Sequence, residues 1–227
     1  MIAQNIELLK GRIGEACRRS GRIPADVRLI AVSKTFDSER IREAAAAGLT
    51  DFGENYVQEF RSKYDDLRDL PLRWHFIGHL QTNKVKYITD SVHLIHSLDD
   101  VKLAREIQKR AEGTVDVLIE VHTTDEATKS GVMPSDVLSL VKELAGYDKV
   151  RIRGLMTMGP FSDDPNDSRP SFRTIAGLRK KIEVEAIANV SMEHLSMGMT
   201  HDFEVAIEEG ATMVRIGTAI FGKRKTR

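Results

Sequence analysis

The stretch "VRLIAVSKTFDSERIREAAAAGLTDFGEN", Val27 to Asn55, holds one full unit of the pattern that decides the fold. Its first run, "VRLIAVSK", is rich in β-branched residues and lacks clean polar alternation, as a strand covered on both faces should be. "DSERIREAAAAGL" follows, with Asp at its start, Gly near its end and helical composition between. The short run "DFGEN" then closes a strand–helix–strand unit. The pattern continues through "RWHFIGHL", "HLIHSLD", "DVLIEVHT", "VRIRGLMTM", "VSMEHLSM" and "TMVRIGTAIFG", with separators such as "DDVKLAREIQKRAEG" and "SDVLSLVKELAGY". About eight such units in 227 residues predict an α/β fold, a single (β/α)8 TIM-type barrel over residues 1–227. A doubly wound open sheet is the alternative. Ile2, Ile6, Leu9, Ile13 and Cys17 recur at helical spacing and predict an extra N-terminal helix ending near Gly21. "GPFSDDPNDSRPS", Gly159 to Ser171, carries three of the six prolines and reads as a mobile loop after the sixth strand.

Composition narrows the function classes. Hydrophobic content of 41% with 30% charged residues is ordinary for a globular protein that stays in solution. The 34 basic and 34 acidic side chains cancel, so there is no field of the kind nucleic-acid or anionic-membrane binding requires. The one basic run, "GKRKTR" from Gly222 to Arg227, reads as a solvated tail. Cys17 is the only cysteine, which excludes an intrachain disulfide and points to a reducing, cytoplasmic setting. The N-terminus lacks the apolar core of a signal peptide, and no run approaches transmembrane length. The seven histidines lack metal-ligand spacing, so no metal site is expected.

In a barrel the C-terminal strand ends share one face, and active sites sit there. Polar residues at the ends of apolar runs are therefore candidates as a group: Lys34, Asn55, His75, Lys129, Met156, Ser196 and Arg215, with Gly217 and Thr218. "SMGMT" and "IGTAIFG" fall after strands seven and eight, where barrels often bind phosphate through backbone amides and a helix N-terminus. Ser196, Thr200 and Thr218 add hydroxyls; a tight turn with an N-cap is the plainer reading. Lys34 on strand one neighbours Arg215 on strand eight once the barrel closes. A ligand with a phosphate arm, an aromatic ring and an aldehyde, such as pyridoxal 5'-phosphate, fits that geometry, with Lys34 forming an imine and Arg215 meeting the ring. An arginine there would keep the ring nitrogen unprotonated and weaken the electron sink. Each residue also has a plainer role. Lys34 could simply reach solvent, and His75 could be a satisfied core histidine. Asn55 could cap the next helix, Met156 and Met158 could pack the barrel, and Asp202 with Glu204 could complement a helix dipole.

"LIAVSKT", "FGENYVQE", "WHFIGHLQTNK", "GLMTMGP" and "LSMGMTHDFEVAIEEGATMVRIGTAIFG" together closely resemble the pyridoxal phosphate homeostasis proteins, single-barrel relatives of the N-terminal domain of alanine racemase. The resemblance runs from Ile30 to Gly222. It implies that Lys34 forms the imine with the cofactor, that Asn55 lines it and that His75 lies near the pocket. It further implies that Ser196, Gly217 and Thr218 hold the phosphate while Arg215 faces the pyridine nitrogen. Two positions depart from the family pattern: His79 stands where proline is frequent, and Thr200 where serine is. Threonine keeps the hydroxyl. "HTTDEATKSGV" resembles the segment around the family's second lysine, here Lys129, which is thought to help pass the cofactor on.

Racemase chemistry in the related enzymes uses a second acid–base group from a separate domain of a partner subunit. No tyrosine presents itself as a replacement on a strand end here. The expectation is therefore a non-enzymatic carrier, with no catalytic residues, that stores, buffers or delivers pyridoxal phosphate. Its partners would be that cofactor and other B6 vitamers, with cofactor-dependent apoenzymes as recipients, and it would be a monomer. A racemase is the alternative; a lysine-imine aldolase acting on a sugar phosphate is a third reading.

Overall fold

A computed structural model describes residues 1–124 and 130–223; Lys129 and residues 224–227 of the basic run lie outside the described residues. Eight parallel strands follow in chain order: β1 (Arg28–Val32), β2 (Asp51–Glu54), β3 (Arg73–Phe76), β4 (Leu94–Leu98), β5 (Val115–Glu120), β6 (Val150–Met156), β7 (Val190–Ser196) and β8 (Met213–Ile216). Each pairs with the next and β8 pairs with β1, so the sheet is a closed barrel and the open-sheet alternative is eliminated. The closing register sets Ile30 beside Arg215 and Ala31 beside Ile216.

The connections explain themselves locally. Helix α2 (Ser38–Ala46) starts where the Asp37 carboxylate accepts from the Arg40 amide, and α4 (Val101–Arg110) where Asp100 does the same for Leu103. Helices α3 (Val57–Asp66), α5 (Val137–Leu144), α6 (Arg169–Val184) and α7 (Phe203–Glu208) complete most of the outer ring. Between β3 and β4 a 3-10 turn, Thr82–Tyr87, replaces a helix. The stretch 159–171 is more ordered than its prolines suggest. A 3-10 turn at Pro165–Ser168 leads directly into α6, so the last three residues are already helical.

The final helix, α8 (Thr218–Phe221), is a single turn and cannot cover the seam where β8 meets β1. Helix α1 (Ile2–Arg19) takes that place. It packs on α7, α8 and α2 with Ile2, Ile6, Leu9, Ile13, Ala16 and Cys17 buried, and Asn5 Nδ2 donates to the Ile220 carbonyl at 2.9 Å. Two apolar layers result. One fills the space between strands and helices; a smaller one, formed by Ile30, Leu94, Leu118, Met156 and Met213, fills the barrel lumen. No helix among the described residues is long and apolar enough to cross a membrane.

Candidate functional site

The turn after β1 carries Lys34, half-buried at the C-terminal mouth. Its neighbours are held on both sides. Lys63 Nζ donates to the Ser33 carbonyl at 2.8 Å, the Ser33 hydroxyl donates to Glu54 at 2.5 Å, and the Thr35 amide donates to the Glu59 carboxylate. Lys63 is itself buried and pairs with Glu54 at 2.8 Å and Glu59 at 2.7 Å. The clamp permits the left-handed backbone of Thr35, φ 70°. Burial pushes the Glu54 carboxyl up, against the pull of Lys63.

Arg215, 5% exposed, enters the lumen side of the mouth from β8. Its Nη1 donates to the Ser196 carbonyl at 2.8 Å and to the Ser196 hydroxyl at 2.7 Å, and its Nη2 donates to the Thr157 carbonyl at 3.0 Å. Three of the five guanidinium N–H groups are thus used, leaving the Nε–H and one Nη2–H without a protein acceptor among the described residues. Burial lowers its pKa to about 10, against Asp202 and Glu120, so it remains a cation at neutral pH. Glu120, at the end of β5, is pushed up to about 7 by burial and by the nearby Asp99, with Arg215 opposing.

The two loops singled out by their glycines flank this arginine. In the first, the Arg215 amide donates to the Gly198 carbonyl at 2.9 Å, and the Asp202 carboxylate takes the Met199 amide at 2.7 Å. The amides of Gly198 and Thr200, and those of Gly217 and Thr218 in the second loop, meet no acceptor among the described residues. Gly198 has φ +89°, and a Cβ there would lie 2.5 Å from that of Ala206. A Cβ on Gly217 would come 3.1 Å from the Val32 carbonyl, so this backbone approaches strand β1 as only a glycine can without displacement.

Among the other candidates, His75 and Met156 take the plainer roles, a satisfied core histidine and barrel packing. His75 is inside the barrel, 1% exposed, with Nε2 3.0 Å from Asp51 and Nδ1 3.0 Å from His96, so both ring nitrogens are committed to protein partners. Ser196 is fully buried, and its hydroxyl also lies 2.9 Å from His96 Nδ1. Met156 belongs to the lumen cluster, 1% exposed. Asn55 does not cap α3, whose N-cap is Tyr56; its Oδ1 is buried with no partner. Asp202 stands at the N-cap of α7 and Glu204 in its first turn, the places from which an acid complements the helix dipole; Asp202 makes no capping bond but takes the Ser168 hydroxyl and the Met199 amide, and Glu204 also pairs with Arg12 of α1. His79 is exposed and lines two clefts beside the mouth, of about 460 and 480 Å³.

Sequence reasoning missed Glu54, Lys63, Asp51 and His96. The signal for His96 was its place in the fully buried run of β4, where a polar side chain must find a partner. Among the described residues no group of three or more His, Cys, Asp and Glu side chains could hold a metal.

The family described as alanine racemase, N-terminal domain, matches residues 3–225. A protein of Aquifex aeolicus named pyridoxal phosphate homeostasis protein is 53% identical over 217 residues, 94% of each chain. The structure of PipY from Synechococcus elongatus with pyridoxal phosphate bound is 32% identical and superposes with a TM-score of 0.84, covering 98% of this chain and 100% of PipY. Alanine racemase from Corynebacterium glutamicum shares the fold, with a TM-score of 0.71 at 17% identity over 98% of this chain and 61% of the racemase.

Proposed function

The chain belongs to the alanine racemase N-terminal domain family and, within it, to the pyridoxal phosphate homeostasis proteins, and on that premise we propose that it binds pyridoxal 5'-phosphate at the barrel mouth and stores, buffers or delivers it in the cytoplasm. The observation that carries this reading is the meeting, at one mouth, of a clamped lysine, a buried arginine with two uncommitted donors, and two loops with unbonded amides.

The residues fit the cofactor. Its aldehyde supplies reversible covalent capture by a primary amine. Lys34 provides that amine, and the clamp on Ser33 and Thr35 limits where the amine can go. Arg215 would offer an uncommitted N–H to the ring nitrogen and, as a cation at neutral pH, would disfavour a proton there. The amides of Gly198, Thr200, Gly217 and Thr218, with the hydroxyls of Thr200 and Thr218, receive the phosphate. Ser196, fully buried, would serve this site through Arg215, whose Nη1 donates to its hydroxyl. Asn55 Oδ1 is left as a buried acceptor for a ligand donor. Met156 contributes the apolar floor.

A carrier without turnover is the reading we favour over a racemase, because the relative that is 53% identical bears the homeostasis name while the racemase likeness is one of fold. Other B6 vitamers and recipient apoenzymes are the proposed partners, and the proposed state is a monomer. The test is the visible spectrum of the purified protein with added pyridoxal phosphate, followed by borohydride reduction and peptide mapping. A yellow protein with the reduced adduct on Lys34, lost in Lys34→Ala, is expected. A protein that stays colourless overturns cofactor binding. Loss of optical activity from a common amino acid, abolished by Lys34→Ala, overturns the carrier reading.

A further inference from the structure

A continuous file of hydrogen bonds crosses the barrel lumen beneath the mouth. From Arg215 Nη1 it runs to the Ser196 hydroxyl (2.7 Å), to His96 Nδ1 (2.9 Å), from His96 Nε2 to His75 Nδ1 (3.0 Å), and from His75 Nε2 to Asp51 Oδ1 (3.0 Å). None of the five residues is more than 5% exposed. They come from β8, β7, β4, β3 and β2, so the file leaves the β7–β8 side, crosses the lumen to β4 and runs along β3 to β2.

Its direction follows from its far end. Asp51 also receives Arg73 through two bonds, at 3.0 and 2.6 Å, and Thr50 at 2.8 Å, with Arg28 at 3.6 Å. Burial works against its charge, but the bonds from His75, Arg73 and Thr50 hold the carboxyl well below the usual range, so it is an anion and accepts from His75 Nε2–H. Burial keeps both imidazoles neutral. His75 Nδ1 is then a lone pair, and His96 must donate to it from Nε2. His96 Nδ1 accepts in turn from Ser196, whose oxygen accepts from Arg215. Every donor points the same way, from the cation at the mouth to the anion at the floor.

We propose that this file is a positioning device for Arg215, with His96 as its central positioning residue and His75 and Asp51 as its anchor. The Ser196 and Thr157 carbonyls also hold Arg215, while the apolar lumen side chains Met156, Met213, Leu118 and Ile30 offer it no further polar partner, so the hydroxyl of Ser196 is the one side-chain acceptor that the file can orient. Ser196 alone could accept from Arg215 with its hydroxyl turned in several directions. With its proton drawn to His96, the lone pair facing Nη1 is fixed, and the guanidinium presents Nε–H and the second Nη2–H to the mouth. Bonds in series polarise one another, which strengthens the grip at the end that matters. The inference rests on the reading that Arg215 faces the cofactor's ring nitrogen.

The test has two arms. In ¹⁵N-histidine-labelled protein without ligand, nitrogen shifts are expected to show His75 and His96 both neutral and both protonated at Nε2; a proton on His96 Nδ1 overturns the file whatever the protein binds. In the second arm, dissociation constants are measured for pyridoxal 5'-phosphate and for its analogue with a ring CH in place of the nitrogen. Native protein is expected to prefer the true cofactor by about tenfold, the value of one charge-assisted hydrogen bond. His96→Phe should reduce that preference to about twofold while leaving the analogue's affinity nearly unchanged, and His96→Gln, which keeps a donor and an acceptor, should restore part of it. Equal weakening of both ligands, or an unchanged preference, overturns the proposal. Should His96→Phe fail to fold, Ser196→Ala cuts the file at its last link and is read by the same ratio. Binding of neither ligand by native protein would sink the cofactor reading alone, because the tautomers still decide the file.

Discussion

Lys63 shows how much one side chain can hold in this molecule. Buried at 5% exposure, it joins the Ser33 carbonyl, Glu54 and Glu59, and so grips both sides of the turn that bears Lys34. Removing one partner of a buried pair leaves the other without compensation, which costs about 3–5 kcal/mol. Lys63→Met is therefore expected to lose about 3 kcal/mol at pH 7. The loss should shrink at pH 5, because the Glu54 pKa is already raised by burial and rises further without the lysine. Stability from a raised carboxyl is present below its unfolded pKa and is lost as pH climbs through the folded one. Urea midpoints at the two pH values check this; a loss independent of pH would show that Glu54 carries no charge in the native protein.

Helix α1 and the loop after β7 show how elements complete what the strands begin. Because α8 is one turn long, the seam between β8 and β1 depends on α1 for its cover. Leu9, 2% exposed on that helix, is expected to cost about 3 kcal/mol when cut to alanine, measured by denaturant unfolding. Gly198→Ala meets two penalties, a left-handed φ of +89° and a Cβ 2.5 Å from Ala206, and should lower both stability and affinity for pyridoxal phosphate. An alanine variant with native affinity would mean that the loop's shape is not needed for the phosphate. The 3-10 turn Thr82–Tyr87 was not legible as such, because "TNKVKY" carries no clear period, and its form is set by packing against α3 and α4.

Across the whole molecule, charge is layered along the barrel: the Asp51 anion with Arg28 and Arg73 at the floor, neutral histidines within, and Arg215 with Glu120 and Asp202 at the mouth. Two sets of groups then act in opposite directions on stability. His75, His96 and His194 have lowered pKa values, His194 to about 4, so the stability they contribute is present above about 6.5 and is lost as pH falls. Glu120, raised to about 7, contributes stability below its unfolded value that is lost as pH rises. The net slope of the native protein is the difference between the two sets, and a variant isolates one side of it. Glu120→Gln should gain on the native protein by about 3 kcal/mol between pH 4 and pH 8, read from paired urea titrations. A constant difference across that range would show that Glu120 titrates as an ordinary surface acid.

The sequence by itself determined the number of strands, their parallel order, the N-terminal helix and the gathering of Lys34, Arg215 and two glycine loops at one end. These depend on local period and on the rule that strand ends share a face, both of which are written within tens of residues. Only the tertiary structure decided the closing of β8 on β1, the placement of α1 over that seam and the meeting of Ser196 with His96 and Arg215. The reason is distance along the chain. His96 and Ser196 are 100 residues apart, and Asp51 and His75 are 24, so no local period couples them. A histidine in a buried strand announces that it needs a partner; which partner, and which nitrogen carries the proton, is settled when the lumen closes around it.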